Sequence, residues 1–201
     1  MADKLTITVL EDGPYKVENA RSVRFGDEVI PSDGEVWLCR CGQTSNPPFC
    51  DSTHRKVGFS GTCESARDRP IKTWEGRTIR THFNANACMH VFACQPLKAL
   101  RAREREGDDA AAAEIAEVVR GCPSGALTYE WIEAREEAPE PDGEVDVLVM
   151  EGGEIRVQCA FEINEDLQER QRAGRATLCR CGLSSNKPWC DGKHKKREDF
   201  R

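Results

Sequence analysis

The stretch from Leu38 to Lys56, LCRCGQTSNPPFCDSTHRK, decides the reading of this chain, because Leu178 to Lys196, LCRCGLSSNKPWCDGKHKK, repeats it 140 residues later. Each copy carries the spacing Cys-x-Cys-x8-Cys-x3-His: Cys39, Cys41, Cys50 and His54 in the first, Cys179, Cys181, Cys190 and His194 in the second. Three thiolate sulfurs and one imidazole nitrogen fill the four positions around a soft or borderline metal, so the spacing predicts a metalloprotein. Beyond the ligands the copies share Arg40/Arg180, Gly42/Gly182, Asn46/Asn186, Pro48/Pro188 and Asp51/Asp191, with Phe49 opposite Trp189.

Working outward, the same offset pairs Val9 with Val149, Gly13 with Gly153, Val17 with Val157 and Ala20 with Ala160. Residues 5–10 and 15–19 alternate around the turn EDGP, and VDVLVM-EGG-EIRVQCA does the same in the second copy, which predicts two β-hairpins. A polar connection follows each hairpin, then a short strand, EVWLCRC or RATLCRC, running into the first cysteine. Each repeat is a unit of roughly fifty residues, a strand pair followed by a metal loop.

A different module lies between the copies. IKTWEGRTIRTHF at 71–83 predicts a hairpin turning at Glu75-Gly76, and LTYEW at 127–131 a closing strand. DDAAAAEIAEVVR at 108–120 predicts a helix capped by Asp108 or Asp109, with Ile115, Val118 and Val119 on its buried stripe. Pro123 ends it. EAREEAPEPDG at 133–143 reads as an acidic linker, so the expected units are residues 1–64, 65–140 and 141–201.

Of 201 residues, 38% are hydrophobic and 32% charged, and units this small need a staple such as a metal. A net charge of −6 argues against nucleic-acid binding, and the basic end KHKKREDFR reads as a solvated tail. No targeting segment and no membrane span are expected, since no run approaches about 18 apolar residues. Cysteines odd in number, arranged in tight Cys-x-Cys pairs, favour shared metal sites over disulfides and predict a reducing cytoplasm.

Close Cys-x-Cys spacing suits two thiolates on one iron, with the later Cys and His on a second, the ligand pattern of a [2Fe-2S] rhomb. The loops resemble the CDGSH iron-sulfur domain family, whose core ends Cys-Asp-Gly-(Ser/Ala/Thr)-His: the second copy keeps CDGKH, and Pro48 and Pro188 fall on the family's fixed proline. The first copy departs from it, reading CDSTH with Ser52 in place of the glycine. The resemblance implies two [2Fe-2S] clusters on Cys39, Cys41, Cys50, His54 and on Cys179, Cys181, Cys190, His194. Single-motif members resemble homodimers that exchange strands. It follows that this chain is expected to be α+β and mostly β, a monomer whose two repeats form an internal pseudo-dimer around an inserted ferredoxin-like module. Zinc in a Cys3His site, making a protein-interaction module without redox activity, is the alternative. Asp51 and Asp191 read as orienting groups for the adjacent imidazole or as Asx turns.

In the middle module Cys88-x5-Cys94 and, after a helix, Cys122-Pro123 form a separate constellation that resembles divergent single-cluster ferredoxins fused to CDGSH domains. Three cysteines suit a [3Fe-4S] cluster, with Val91 where a fourth ligand would lie. A [4Fe-4S] cluster needs one more ligand, for which His90 and Cys63 are the nearby candidates, and a packed cysteine core without a cluster is the competing reading. No nucleophile–base pair, phosphate loop or paired carboxylates stand out, so no enzyme is expected. The expected role is electron transfer, cluster transfer or redox sensing, with a redox partner or an apo-protein acceptor.

Overall fold

The computed structural model describes residues 4–30, 32–65, 69–133, 145–164, 167, 174–197 and 200. In the first repeat β1 (Leu5–Val9), β2 (Tyr15–Glu18), β3 (Val23–Phe25), β4 (Glu28–Ile30) and β5 (Glu35–Leu38) precede the metal loop, which ends in the single turn α1 (Thr53–Lys56). The middle module follows as β6 (Lys72–Glu75), β7 (Ile79–Phe83), α2 (Leu97–Arg105), α3 (Asp109–Arg120) and β8 (Leu127–Trp131). In the second repeat β9 (Val147–Val149), β10 (Ile155–Val157), β11 (Phe161–Ile163) and β12 (Ala176–Leu178) run into a loop closed by a 3₁₀ turn, Lys193–Lys196. The acidic linker from residue 134 onward and the boundary at 140/141 lie outside the described residues.

The two repeats exchange strands. One sheet has the order β11-β1-β2-β5 and the other β12-β10-β9-β3-β4, so each contains strands of both repeats. The exchanged pairings are parallel and equivalent: β1 meets β11 through Leu5↔Phe161 and Ile7↔Ile163, and β9 meets β3 through Val23↔Val147 and Phe25↔Val149. Inward-facing residues of every second position, among them Ile7, Tyr15, Val17, Val147, Val149, Ile155 and Val157, form one core with Trp189. Neither repeat encloses an apolar core of its own. This is the pseudo-dimer expected from the sequence, but its exchanged strands, β3, β4 and β11, stand where the sequence reading placed only polar connections. Three-residue strands carry almost no periodic signal; their pairing is set by the neighbouring repeat.

The middle module is a three-stranded sheet, β6-β7-β8, with α2 and α3 packed together and its own core around Ile79, Leu100, Ile115, Val119 and Leu127. Asp108 caps α3 by accepting the Ala110 N–H at 3.1 Å. Helix α2 was not foreseen: of its nine residues only Leu97, Leu100 and Glu104 are buried, too few for a clear stripe. Its Glu104 carboxylate accepts the N–H groups of Arg77 and Thr78 at 2.7 and 2.8 Å and so fastens the β6–β7 turn. The basic end is not wholly a solvated tail, because Phe200 is buried against Cys179 and Cys181 with the Arg180 guanidinium 4.4 Å from its ring.

Candidate metal centres

Both repeated loops are built by the same backbone bonds. Cys39 N–H donates to Pro48 O and Cys50 N–H to Trp37 O; Cys179 and Cys190 donate in the same way to Pro188 O and Thr177 O, all at 2.7–3.0 Å. Asp51 and Asp191 serve as loop caps: each accepts the N–H and hydroxyl of the serine six residues back and the N–H two residues on. The backbone amide of Ser45, foremost among these donors, holds Asp51 well below the usual carboxylate range. Neither aspartate bonds the imidazole in this way, which favours the turn reading.

The arginine between the paired cysteines is a residue whose role the sequence did not disclose. Arg40 is buried and donates to Leu10 O at 2.8 Å and Gly61 O at 3.0 Å; Arg180 is buried and donates to Met150 O at 3.2 Å. Each sews its metal loop to the hairpin turn of its own repeat. Their sharing at the repeat offset was the available signal.

The ligand-type atoms come together in pairs. Cys39 and Cys41 Sγ are 3.6 Å apart and Cys179 and Cys181 Sγ 3.8 Å, while Cys50 Sγ lies 3.3 Å and Cys190 Sγ 3.4 Å from Nδ1 of the paired histidine. Two sulfurs each about 2.3 Å from one tetrahedral metal are about 3.8 Å apart, so the cysteine pairs fit a shared ion. They are too far apart for a disulfide, and all eleven cysteines are free. Backbone N–H groups of Ser52, Leu183 and Gly192 reach cysteine sulfur at 3.4–3.5 Å. The neighbouring thiol, foremost, and the loop amides draw Cys39 and Cys179 below the ordinary thiol value, so within each pair the first proton is the more easily lost. Burial pushes Cys190 up to about 12 and His194 down, disfavouring the charged form in both cases.

The loops touch one another. A Cβ on Gly42 would stand 2.7 Å from Cys181 O, and one on Gly182 would stand 2.7 Å from Cys41 O, so these positions have room only for glycine. Tyr15 crosses from the first repeat and donates its hydroxyl to Cys179 O at 2.9 Å and Pro188 O at 3.0 Å. On its other side the second loop meets the middle module: Asn186 Nδ2 donates to Asn86 O at 2.6 Å, and Met89 O lies 2.9 Å from where a Gly192 Cβ would be.

In the middle module Cys88, Cys94 and Cys122 line one cavity together with His90, Val91, Phe92 and Ser124. The donor set and its convergence fit a cluster. Left-handed φ at His90 and Phe92 curls this loop, and His90 N–H points at Cys88 Sγ at 3.4 Å. His90 Nδ1 is 3.8 Å from Cys88 Sγ, whereas Cys63 lies against Ser185 O at 3.7 Å, beside the second metal loop instead.

Comparison with known families gave two matches. Residues 12–55 and 143–195 match the family described as iron-binding zinc finger CDGSH type, and residues 74–135 match the divergent 4Fe-4S mono-cluster family. No curated protein and no solved structure gave a match.

Proposed function

We propose, for an iron-sulfur protein whose two CDGSH-type iron-binding regions flank a divergent 4Fe-4S mono-cluster region, that the chain is a multi-centre electron carrier and not an enzyme. Cys39, Cys41, Cys50 and His54 would hold one [2Fe-2S] cluster, and Cys179, Cys181, Cys190 and His194 a second. Cys88, Cys94 and Cys122 would hold a [3Fe-4S] cluster, or a [4Fe-4S] cluster with His90. When bound, such clusters supply reversible one-electron chemistry. The observation that carries this reading is the unbroken contact of the three ligand loops, in the order middle module, second repeat, first repeat.

The protein's own groups supply the rest. Burial of Cys39, Cys41, Cys179 and Cys181 keeps water from the sulfurs. A neutral imidazole in place of a thiolate removes one negative charge and places the repeated sites above an all-cysteine ferredoxin in potential. Among the described residues the only close set of three or more ligand-type groups is Glu154, Cys190 and His194. The sulfur pair and the Cys–His pair of each loop thus sit apart, which favours two bridged ions over a single zinc ion. The reading takes the chain as a cytoplasmic monomer in three units, 1–64, 65–140 and 141–201, that serves a separate redox partner. Cluster transfer to an apo-protein is the second reading, favoured by Cys50 and His54 lining an open cavity of about 520 Å³.

Reductive titration of anaerobically purified protein, followed by paramagnetic resonance, tests the assignment. Cys122→Ser should remove one signal and leave both [2Fe-2S] signals. Unchanged iron and an unchanged spectrum in that variant would mean that the middle module holds no cluster.

A further inference from the structure

The two histidines of the repeated sets have different partners. His194 turns Nδ1 toward Cys190, and its Nε2 lies 3.5 Å from Glu154 Oε2. Glu154 is 3% exposed, and Arg156 Nε donates to its Oε1 at 2.7 Å. Arg156 thus pairs with one oxygen of this buried carboxylate and leaves the other, Oε2, facing the ligand-type imidazole. Across the repeat offset its counterpart is Pro14. His54 also turns Nδ1 toward its cysteine, but no described residue pairs with its Nε2, and the ring borders the open cavity.

We propose that Glu154 is a positioning residue for the second site, which accepts the Nε2–H of His194, fixes Nδ1 toward the metal and lowers that site's potential below that of the first. The general basis is that a carboxylate on the far nitrogen of a metal-bound histidine fixes its tautomer and makes it a stronger donor. The second site thereby holds its metal more tightly, and an electron shared between the two sites rests on the first. That site faces solvent through His54, Cys50 and Trp37. This inference rests on the assignment of [2Fe-2S] clusters to both repeats.

The test is an anaerobic redox titration of the full-length holoprotein with dithionite, each [2Fe-2S] signal being followed separately. Wild type should show two midpoint potentials, and His54→Cys should lower only the higher one. Glu154→Gln should raise the lower potential toward the higher one without moving the latter, and should speed iron loss from the second site to a chelator by about 10–100-fold. Glu154→Asp should recover part of both effects, and it carries the test if Glu154→Gln fails to load. Two intact signals unmoved by Glu154→Gln would overturn the proposal. It would also be overturned if Glu154→Ala abolished a signal that survives His194→Ala, since Glu154 would then be the ligand. Absence of any [2Fe-2S] signal in wild type would instead defeat the underlying assignment.

Discussion

The first metal loop and the second share ligands, caps and backbone bonds, yet one lies at the surface and the other is enclosed. Position 52/192 shows the cause. Gly192 has φ 81° and Met89 O presses where a side chain would start, while Ser52 holds nearly the same left-handed φ, 68°, and is exposed. Among the described residues the middle module presses on the second loop at Gly192, whereas Ser52 is exposed, so the departure from Cys-Asp-Gly in the first copy meets no crowding. Trp189 is buried where Phe49 is half-buried, and buried Thr177 matches Trp37, which is 41% exposed. A duplicated sequence therefore produces two candidate sites with the same ligand set in different surroundings, and clusters bound there would differ in potential and lifetime.

The strongest way to break this comparison is to remove one ligand from each side. Cys41→Ser and Cys181→Ser should each abolish one [2Fe-2S] signal and lower thermal stability, because the metal staples the fold. Only Cys181→Ser should also disturb the signal of the middle module, whose loop it adjoins through Asn186 and Met89. Equal disturbance by both variants would show that the contact order does not matter.

Packing gives the next effect. Trp189→Ala should cost about 3–5 kcal/mol in unfolding experiments, and Phe49→Ala about half of that. Similar losses would contradict the difference in enclosure.

Much of this was legible in sequence because the informative residues are local. Ligands within sixteen positions of one another declare themselves by spacing, β1, β2, β9 and β10 by alternation, and α3 by Asp108 and Pro123. The exchanged strands β3 and β11 were not legible as strands, since their partners lie some 120–160 residues away in sequence. Glu154 carries no repeat signal, because its counterpart across the offset is Pro14. Phe200 stands alone in a charged stretch, and its contact, the Arg180 guanidinium, lies twenty residues earlier.

Exchanging the residues at the turn sharpens the comparison further. Gly192→Ser should destabilise by about 1–3 kcal/mol, from left-handed strain together with collision against Met89 O. Ser52→Gly should stabilise by a few tenths, roughly the left-handed penalty less the entropy cost of glycine. Equal small effects at both positions would argue that the middle module does not press on the second loop.

A smaller effect reports on the union of the repeats. Asp146 of the second repeat accepts the Arg21 backbone N–H at 2.7 Å and pairs with its guanidinium. Burial alone would raise its pKa, but these bonds outweigh it and hold the carboxyl below its ordinary value. Because the folded pKa is depressed, the stabilisation is complete above the unfolded value of about 3.9 and is lost as pH falls through the folded one. Asp146→Asn should cost about 1–2 kcal/mol at neutral pH and flatten the acid limb of the stability curve. An unchanged acid limb would remove this pair from the joint between the repeats.

The central claim, two [2Fe-2S] clusters in the repeated Cys3His sets, is tested most directly by metal and acid-labile sulfide analysis of anaerobically purified Cys122→Ser protein, in which only those sets remain complete. About four iron and four sulfide per chain are expected, in a red-brown protein. Colourless protein with about two zinc per chain and no sulfide would contradict it.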